Sequence, residues 1–567
     1  MPRVNWRPAL LWALPLAFLG LFYFYPLTRI LLLSLTRDGG GLTTLIEGLT
    51  SSVTRSALAF TLWQAFLSTL LTLIVGLPAA YLFGRFRFRG RSLLRALTAV
   101  PFVLPTVVVA VAFSALLGPR GWMNLALMDL LDLSRPPIQF ANTLTAILVA
   151  HIFYNTTIVI RMVGDYWSHL DPRLVAAARS LGAGRWTAFR RVSLPLLMPA
   201  VISASLLVFL FDFTSFGVIL ILGGPKFSTL ETEIYFQTIG LNNLSLAAVL
   251  SLLQLACTLA ITIIYTRLAA RLQRPLHLRP QTVTQRRLPN LRAKLLAGGL
   301  VLALLAFFLL PLAGLAARSF TRLDPERRQV SAVQTGFTLD YYRLLADNPR
   351  QSMFYAPPTT AIATSLGYAA ATVALSLSLG LPAAWALSHH RRSAFIRFID
   401  PLLMLPLGTS AVTLGLGFIV ALNHPPLDLR ASPLLIPLAH TLVAFPFVVR
   451  SLVPALAGIQ PRLRHAAAVL GATPRRVFLR IDLPLIGRAL FVAAAFAFAI
   501  SLGEFGASSL ITRPEYPTMP VMIFRFLSQP GASNYGQALA LSAILMAVTA
   551  LGILAIERLR LDGIGEF

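Results

Sequence analysis

The chain has 567 residues, 56% of them hydrophobic and only 12% charged, with a mean hydropathy of +0.74. Soluble domains carry roughly 25% charged residues, so this composition excludes an ordinary soluble protein and argues for many membrane spans. The net charge of +27 does not mark a nucleic-acid binder, because the arginines are bunched between apolar runs and do not cover one face.

In chain order, apolar runs predict spans near 9–34, 57–83, 98–117, 143–163, 196–222 and 244–266. The first run is long enough to cross a bilayer and reads as a retained helix. A basic stretch, 267–294, comes next. Six more spans follow near 295–317, 359–387, 400–422, 433–454, 487–511 and 537–556. The expected fold class is an all-α membrane protein of about twelve transmembrane helices. Arginine clusters at 84–95, 267–294 and 388–397 fall in alternate loops, on the same side as Arg3, Arg7, Arg558 and Arg560. The positive-inside rule then puts both termini in the cytoplasm and leaves 223–237 and 318–358 as outer segments. The single cysteine, Cys257, lies in an apolar run, which excludes a disulfide framework or thiolate cluster.

The second six spans copy the first. At a constant offset of 289, Ala150, His151 and Arg161 match Ala439, His440 and Arg450, and Phe216-Gly217 matches Phe505-Gly506. "GLPAAY" (76–81) answers "GLPAAW" (380–385). Six spans per copy make the repeat parallel, so two like halves surround an axis normal to the membrane. The halves are 1–266 and 295–567, joined by the basic linker 267–294.

The fullest match joins "DPRLVAAARSLGAGRWTAFRRVSLPLL" (171–197) to "QPRLRHAAAVLGATPRRVFLRIDLPLI" (460–486). Leu174, Ala177, Ala178 and Leu181 fall on one face of a short helix, and Gly182 is a helix stop. A structured loop this long is no mere connector. Its alanines invite close approach by another surface, and its duplication favours a partner engaging both loops over a helix resting on headgroups.

In spacing and position these loops resemble the EAA loop of ABC-importer permeases: Glu-Ala-Ala, three residues, Gly, nine residues, Ile-x-Leu-Pro. The first copy reads Ala176-Ala177-Ala178, Gly182 and Val192-Ser193-Leu194-Pro195. The second reads His465-Ala466-Ala467, Gly471 and Ile481-Asp482-Leu483-Pro484. The family's glutamate is absent from both. The resemblance covers nearly the whole chain and implies a fused pair of permease domains in a bacterial or archaeal cytoplasmic membrane. It also implies two copies of a cytosolic ATP-binding subunit, one per loop, carrying the ATP and Mg, and a separate extracytoplasmic solute-binding protein. The chain is most similar to the branch of ferric-iron and thiamine permeases, and "FTSFGVILILGGPKFSTLETEIY" (213–235) is closer to the thiamine members.

No Gly-x-x-x-x-Gly-Lys-Ser/Thr occurs, so this chain has no P-loop for ATP. The rival class is an ion-coupled secondary carrier of major-facilitator-like architecture, which needs ionisable groups inside the membrane. Asp212 and Glu504 are the main candidates, in equivalent helices of the two halves. They read either as capping carboxylates or as a negative lining for a cationic solute. The duplicated loop has no use in such a carrier. The histidines do not cluster with acids along the sequence, so His151 and His440 read as packing or capping residues, and no enzyme is expected.

Overall fold

The structure is a computed structural model and describes residues 6–36, 42–272, 284–322, 336–346, 356–389, 394–423 and 428–559. Among them, 10 helices are long and apolar enough to cross a membrane, and two bent helix pairs raise the number to 12 if each pair is one span. Residues 390–393 of the 388–397 cluster, 273–283 of the linker and both ends of the chain lie outside the described residues.

Within each half, the second and fourth spans form the closest pair, Ser52–Arg85 on Leu144–His169 and Pro358–His389 on Leu435–Ala457. The repeated Gly-Leu-Pro-Ala-Ala motif supplies the close approach. A Cβ placed on Gly76 would come within 2.7 Å of Val159, and one on Gly380 within 2.6 Å of Val448. Small residues at such crossings let backbones pack where lipid offers no hydrophobic drive.

The halves are interleaved. The first span of each packs on the third span of the other: Phe22 meets Phe418 at 6.5 Å, and Phe113 meets Phe307 at 6.4 Å, between ring centroids. Gly417 gives the first crossover its room, since a Cβ there would stand 2.9 Å from Pro26. The linker is helical at both ends, to Leu272 and from Leu291. Residues 284–290 lie along the first half, where Arg286–Arg287 pairs in parallel with Phe86–Arg87 and Gln285 accepts from Arg91 at 2.9 Å.

Several predicted spans are not continuous rods. The run 98–117 is two helices, Arg91–Val103 and Thr106–Leu117, because Pro105 forces the extended conformation of Leu104. Its counterpart at 400–422 turns through 95° between Gly408 and Ala411. The run 196–222 ends its helix at Phe213, and 487–511 breaks at Glu504 between Gly503 and Gly506. The outer segment 223–237 also differs from expectation. It folds back into the protein as the helix Leu230–Tyr235, capped by Thr229 and Thr232, with Leu230 and Glu231 buried.

Candidate functional site: two docking arms and a ring-lined seam

The duplicated loops form two arms of the same design. Pro172–Ser180 and Pro461–Val469 are nine-residue helices, and neither has a buried residue. Proline at the first helical position and an extended residue before it start both, and the Asp171 carboxylate accepts from Arg173 N at 2.9 Å. Both end in the same paired bonds. Ala183 N donates to Ala178 O at 3.1 Å and Gly182 N to Arg179 O at 3.0 Å; Ala472 N donates to Ala467 O at 2.9 Å and Gly471 N to Ala468 O at 3.0 Å. This closing pattern requires a left-handed residue. Gly182 and Gly471 supply it with φ of +85° and +79°. Nothing lies within 4 Å of a Cβ at either, so glycine is needed there for its backbone and not for space.

Of the predicted arm residues, Ala176, Ala177, His465 and Ala466 are exposed, and Ala178 and Ala467 are half-buried. Leu181 and Leu470 project almost fully, at 89% and 86% exposure. Each leucine stands just past a helix with no buried residue and adds exposed apolar surface at the arm tip. Leu194 and Pro195 open the helix Leu194–Phe213, while Leu483 and Pro484 lie in the short turn Leu483–Leu485.

The arms join the membrane differently. The first runs as one helical rod, Arg185–Phe213. The second bends by 69° between Leu485 and Gly487, where the first copy has Met198 in place of Gly487. The second arm is also pinned. Arg464 Nε donates to the buried Asp482 carboxylate at 2.8 Å, where the first copy has Val175 and Ser193.

The structure brings together two histidine–acid clusters that the sequence reading kept apart. His151 Nδ1 is 2.9 Å from Ser68 Oγ and 3.4 Å from Asp212 Oδ1, with Ser215 Oγ 2.8 Å from Nε2. Asn155 donates to Asp212 Oδ1 at 2.6 Å. In the second half, His440 Nδ1 meets Ser501 Oγ at 2.8 Å, and Nε2 meets Ser508 Oγ at 2.8 Å and Glu504 Oε2 at 3.2 Å. In the repeat Asp212 aligns with Ser501 and Ser215 with Glu504, so acid and serine have exchanged sides of the ring. Glu504 also accepts from Ala507 N at 2.7 Å and Ser508 N at 3.0 Å, closing the break before Gly506. Both carboxylates are buried. Glu504 has the geometry of a helix cap, whereas Asp212 Oδ2 has no hydrogen-bond partner.

Between the halves four rings meet. Phe216 and Phe505, repeat partners, stack at 5.4 Å. Tyr235 and Phe524, also repeat partners, flank them at 5.6 and 5.4 Å and approach each other at 6.5 Å. One turn before Tyr235 is Glu231, buried, accepting from Gln254 at 3.2 Å and facing the Ser410 hydroxyl of the other half. The sequence reading missed Glu231 because it placed this segment outside. The available signal was Thr229-x-x-Thr232, a helix start inside a supposed loop. Among the described residues no group of three His, Cys, Asp or Glu is placed to hold a metal.

Residues 73–274 match the family described as "Binding-protein-dependent transport system inner membrane component". The thiamine transport system permease protein ThiP of Brucella abortus is 30% identical over 495 residues, 86% of this chain and 85% of its own. The putative 2-aminoethylphosphonate transport system permease protein PhnU of Salmonella paratyphi A is 28% identical over 272 residues, 48% of this chain and 94% of its own. A solved chain of a bacterial ABC transporter involved in alginate import aligns over 48% of this chain and 97% of its own, with 17% identity and a TM-score of 0.41.

Proposed function

Because the chain belongs to the binding-protein-dependent inner-membrane permeases, as a fused two-domain ABC-importer permease, we propose that the solute it conducts is thiamine. It is a multi-pass protein of the bacterial inner membrane and not an enzyme; ATP is hydrolysed on a separate subunit. Membership of this ATP-driven family leaves no role for the ion-coupled carrier mechanism.

Thiamine is favoured over ferric iron by one observation above others: four aromatic rings, beside a buried carboxylate, meet where the halves join. Thiamine is a cationic ring compound, and ring faces attract organic cations. Ferric iron asks for clustered oxygen ligands. The solute of the Brucella relative points the same way. In this reading Phe216, Tyr235, Phe505 and Phe524 close the pathway and part when the halves rock, while Asp212 and Glu504 hold the helix breaks that flank it.

Each arm docks one copy of the ATP-binding subunit, on the cytoplasmic side with both termini. Closure of the two ATPases on ATP is carried through Ala176–Ala178, Gly182 and Leu194-Pro195 in one half. In the other it passes through His465–Ala467, Gly471 and Leu483-Pro484. The test is uptake into proteoliposomes holding the permease and its ATP-binding subunit, with the cognate binding protein outside. ATP-dependent accumulation of labelled thiamine, not competed by ferric ion, is expected. Accumulation of ferric ion in place of thiamine would overturn the assignment.

A further inference from the structure

The two crossovers between the halves are built alike in sequence and differ in structure. "PLTRILLLSLTR" (26–37) and "PLAGLAARSFTR" (311–322) align residue for residue, with Ser34 and Ser319 fully buried in both. In the second crossover the position matching Leu33 is Arg318, 1% exposed, whose Nη1 donates to Thr321 Oγ1 at 3.2 Å. Its Nε and Nη2 are buried without a hydrogen-bond partner. In the first, Leu33 lines a cavity of about 300 Å³, together with Arg29, Asn242, Asn423, Arg430 and Ile419. The cavity spans the seam, since Arg29, Leu33 and Asn242 belong to one half and the others to the second.

Its polar lining is one-sided. Arg29 is half-buried on the first span, and Arg430 is exposed and donates to Asn423 at 3.4 Å. Among the described residues, neither guanidinium is in an ion pair, and no carboxylate lines the cavity. A charge on a membrane span is costly and points to function by default. Two planar guanidiniums around an open space, with no described carboxylate in its lining, suit a carboxylate partner. Leu33 lies in the last turn of the first span, Trp12–Leu35, and Leu244, also in the lining, begins the sixth. Both lie at the end of the membrane away from the docking arms, so the cavity opens on the face where a solute-binding protein arrives.

We propose that this cavity is a socket for an acidic side chain of the docked solute-binding protein, and that it fixes which way round that protein sits. The inference rests on the importer reading above. A cationic solute is repelled by Arg29 and Arg430, so the solute itself is not the occupant. The permease has two nearly equivalent halves, whereas a binding protein is a single asymmetric body. Arg318 is buried at one crossover, whereas Arg29 and Arg430 line a cavity at the other, so one orientation brings an acid onto that pair. Complementary charge of this kind sets encounter rate and register more than total affinity.

The test uses the complete transporter in nanodiscs, with its ATP-binding subunit and the cognate thiamine-binding protein loaded with thiamine. The readout is the concentration of binding protein that half-stimulates ATP hydrolysis, taken at about 50 and about 300 mM NaCl, where screening differs strongly. For the wild type this concentration rises with salt. The double variant Arg29→Glu/Arg430→Glu raises it at least about tenfold at low salt and flattens the salt dependence, as expected for lost electrostatic steering. Arg430→Gln, an exposed position that does not disturb the span, raises it about threefold. Unchanged concentrations and an unchanged salt slope in both variants would overturn the socket. A wild-type transporter that the loaded protein does not stimulate at any salt would instead overturn the importer reading on which the socket rests.

Discussion

The two arms end in the same left-handed glycine, yet they are held by different contacts: Phe189 stacks on Trp167 at 6.3 Å below the first, and Arg464 pairs with Asp482 in the second. The first continues as one helical span, Arg185–Phe213. The second is held by Arg464 on Asp482 and then bends by 69° beside Gly487. A rod transmits a push along its axis, whereas a pinned elbow turns it. The tip is therefore the constant part of the design and its attachment the variable part. Two identical ATPase subunits docked on the tips would drive two unlike levers.

Glycine is the place where the comparison breaks most sharply. Gly471→Val puts a β-branched residue at a positive φ, at a cost of roughly 1–2 kcal/mol, and removes the turn that aims Leu470. Uptake is expected to fall at least about tenfold while ATP hydrolysis continues, measured together in proteoliposomes. Gly182→Val is expected to do the same. Full coupled uptake by one of the pair would show that its arm is a passenger.

Next in size is the pin. Arg464→Met leaves the Asp482 carboxylate buried and unpaired, a loss of roughly 3 kcal/mol. A lower melting temperature and severalfold slower uptake follow. The paired change Arg464→Met/Asp482→Leu recovers most of the melting temperature, since an apolar pair substitutes well for a buried ion pair. Val175→Met, the same position in the other arm, is expected to shift stability by less than about 0.5 kcal/mol. Equal losses at Arg464 and Val175 would erase the distinction between the arms.

A smaller effect is expected at the elbow. Gly487→Ala favours a continuous helix by roughly 0.5–1 kcal/mol, which brings the second arm closer to the first. Uptake should change by no more than about threefold. The smallest effect is at His465, which is exposed and stands where the family carries glutamate. His465→Glu is expected to alter the half-saturating concentration of the ATP-binding subunit by less than about twofold.

The arms were legible in the sequence because their determinants are local: proline at the helix start, alanines on one face, glycine at the stop. Span number and the repeat were legible for the same reason. The breaks at Leu104-Pro105 and Gly408 had local signals too, but the hydropathy of their flanks overrode them. The histidine–acid clusters were not legible, since His151 reaches Asp212 and His440 reaches Glu504 only through the packing of separate spans. The exchange of Asp212 for Ser501 and Ser215 for Glu504 was visible in the aligned repeat, and it gains meaning only once the imidazole is seen between the two positions. Glu231 was lost because an amphipathic helix that folds back into the protein has the composition of an outer loop.

The most direct test of the two-arm design is native mass spectrometry of the permease purified with its ATP-binding subunit in mild detergent. One permease with two ATP-binding subunits is predicted, falling to one when Leu470 is changed to Asp and again to one when Leu181 is changed instead. A single bound subunit in the wild type, or two that survive either change, would contradict docking through these arms.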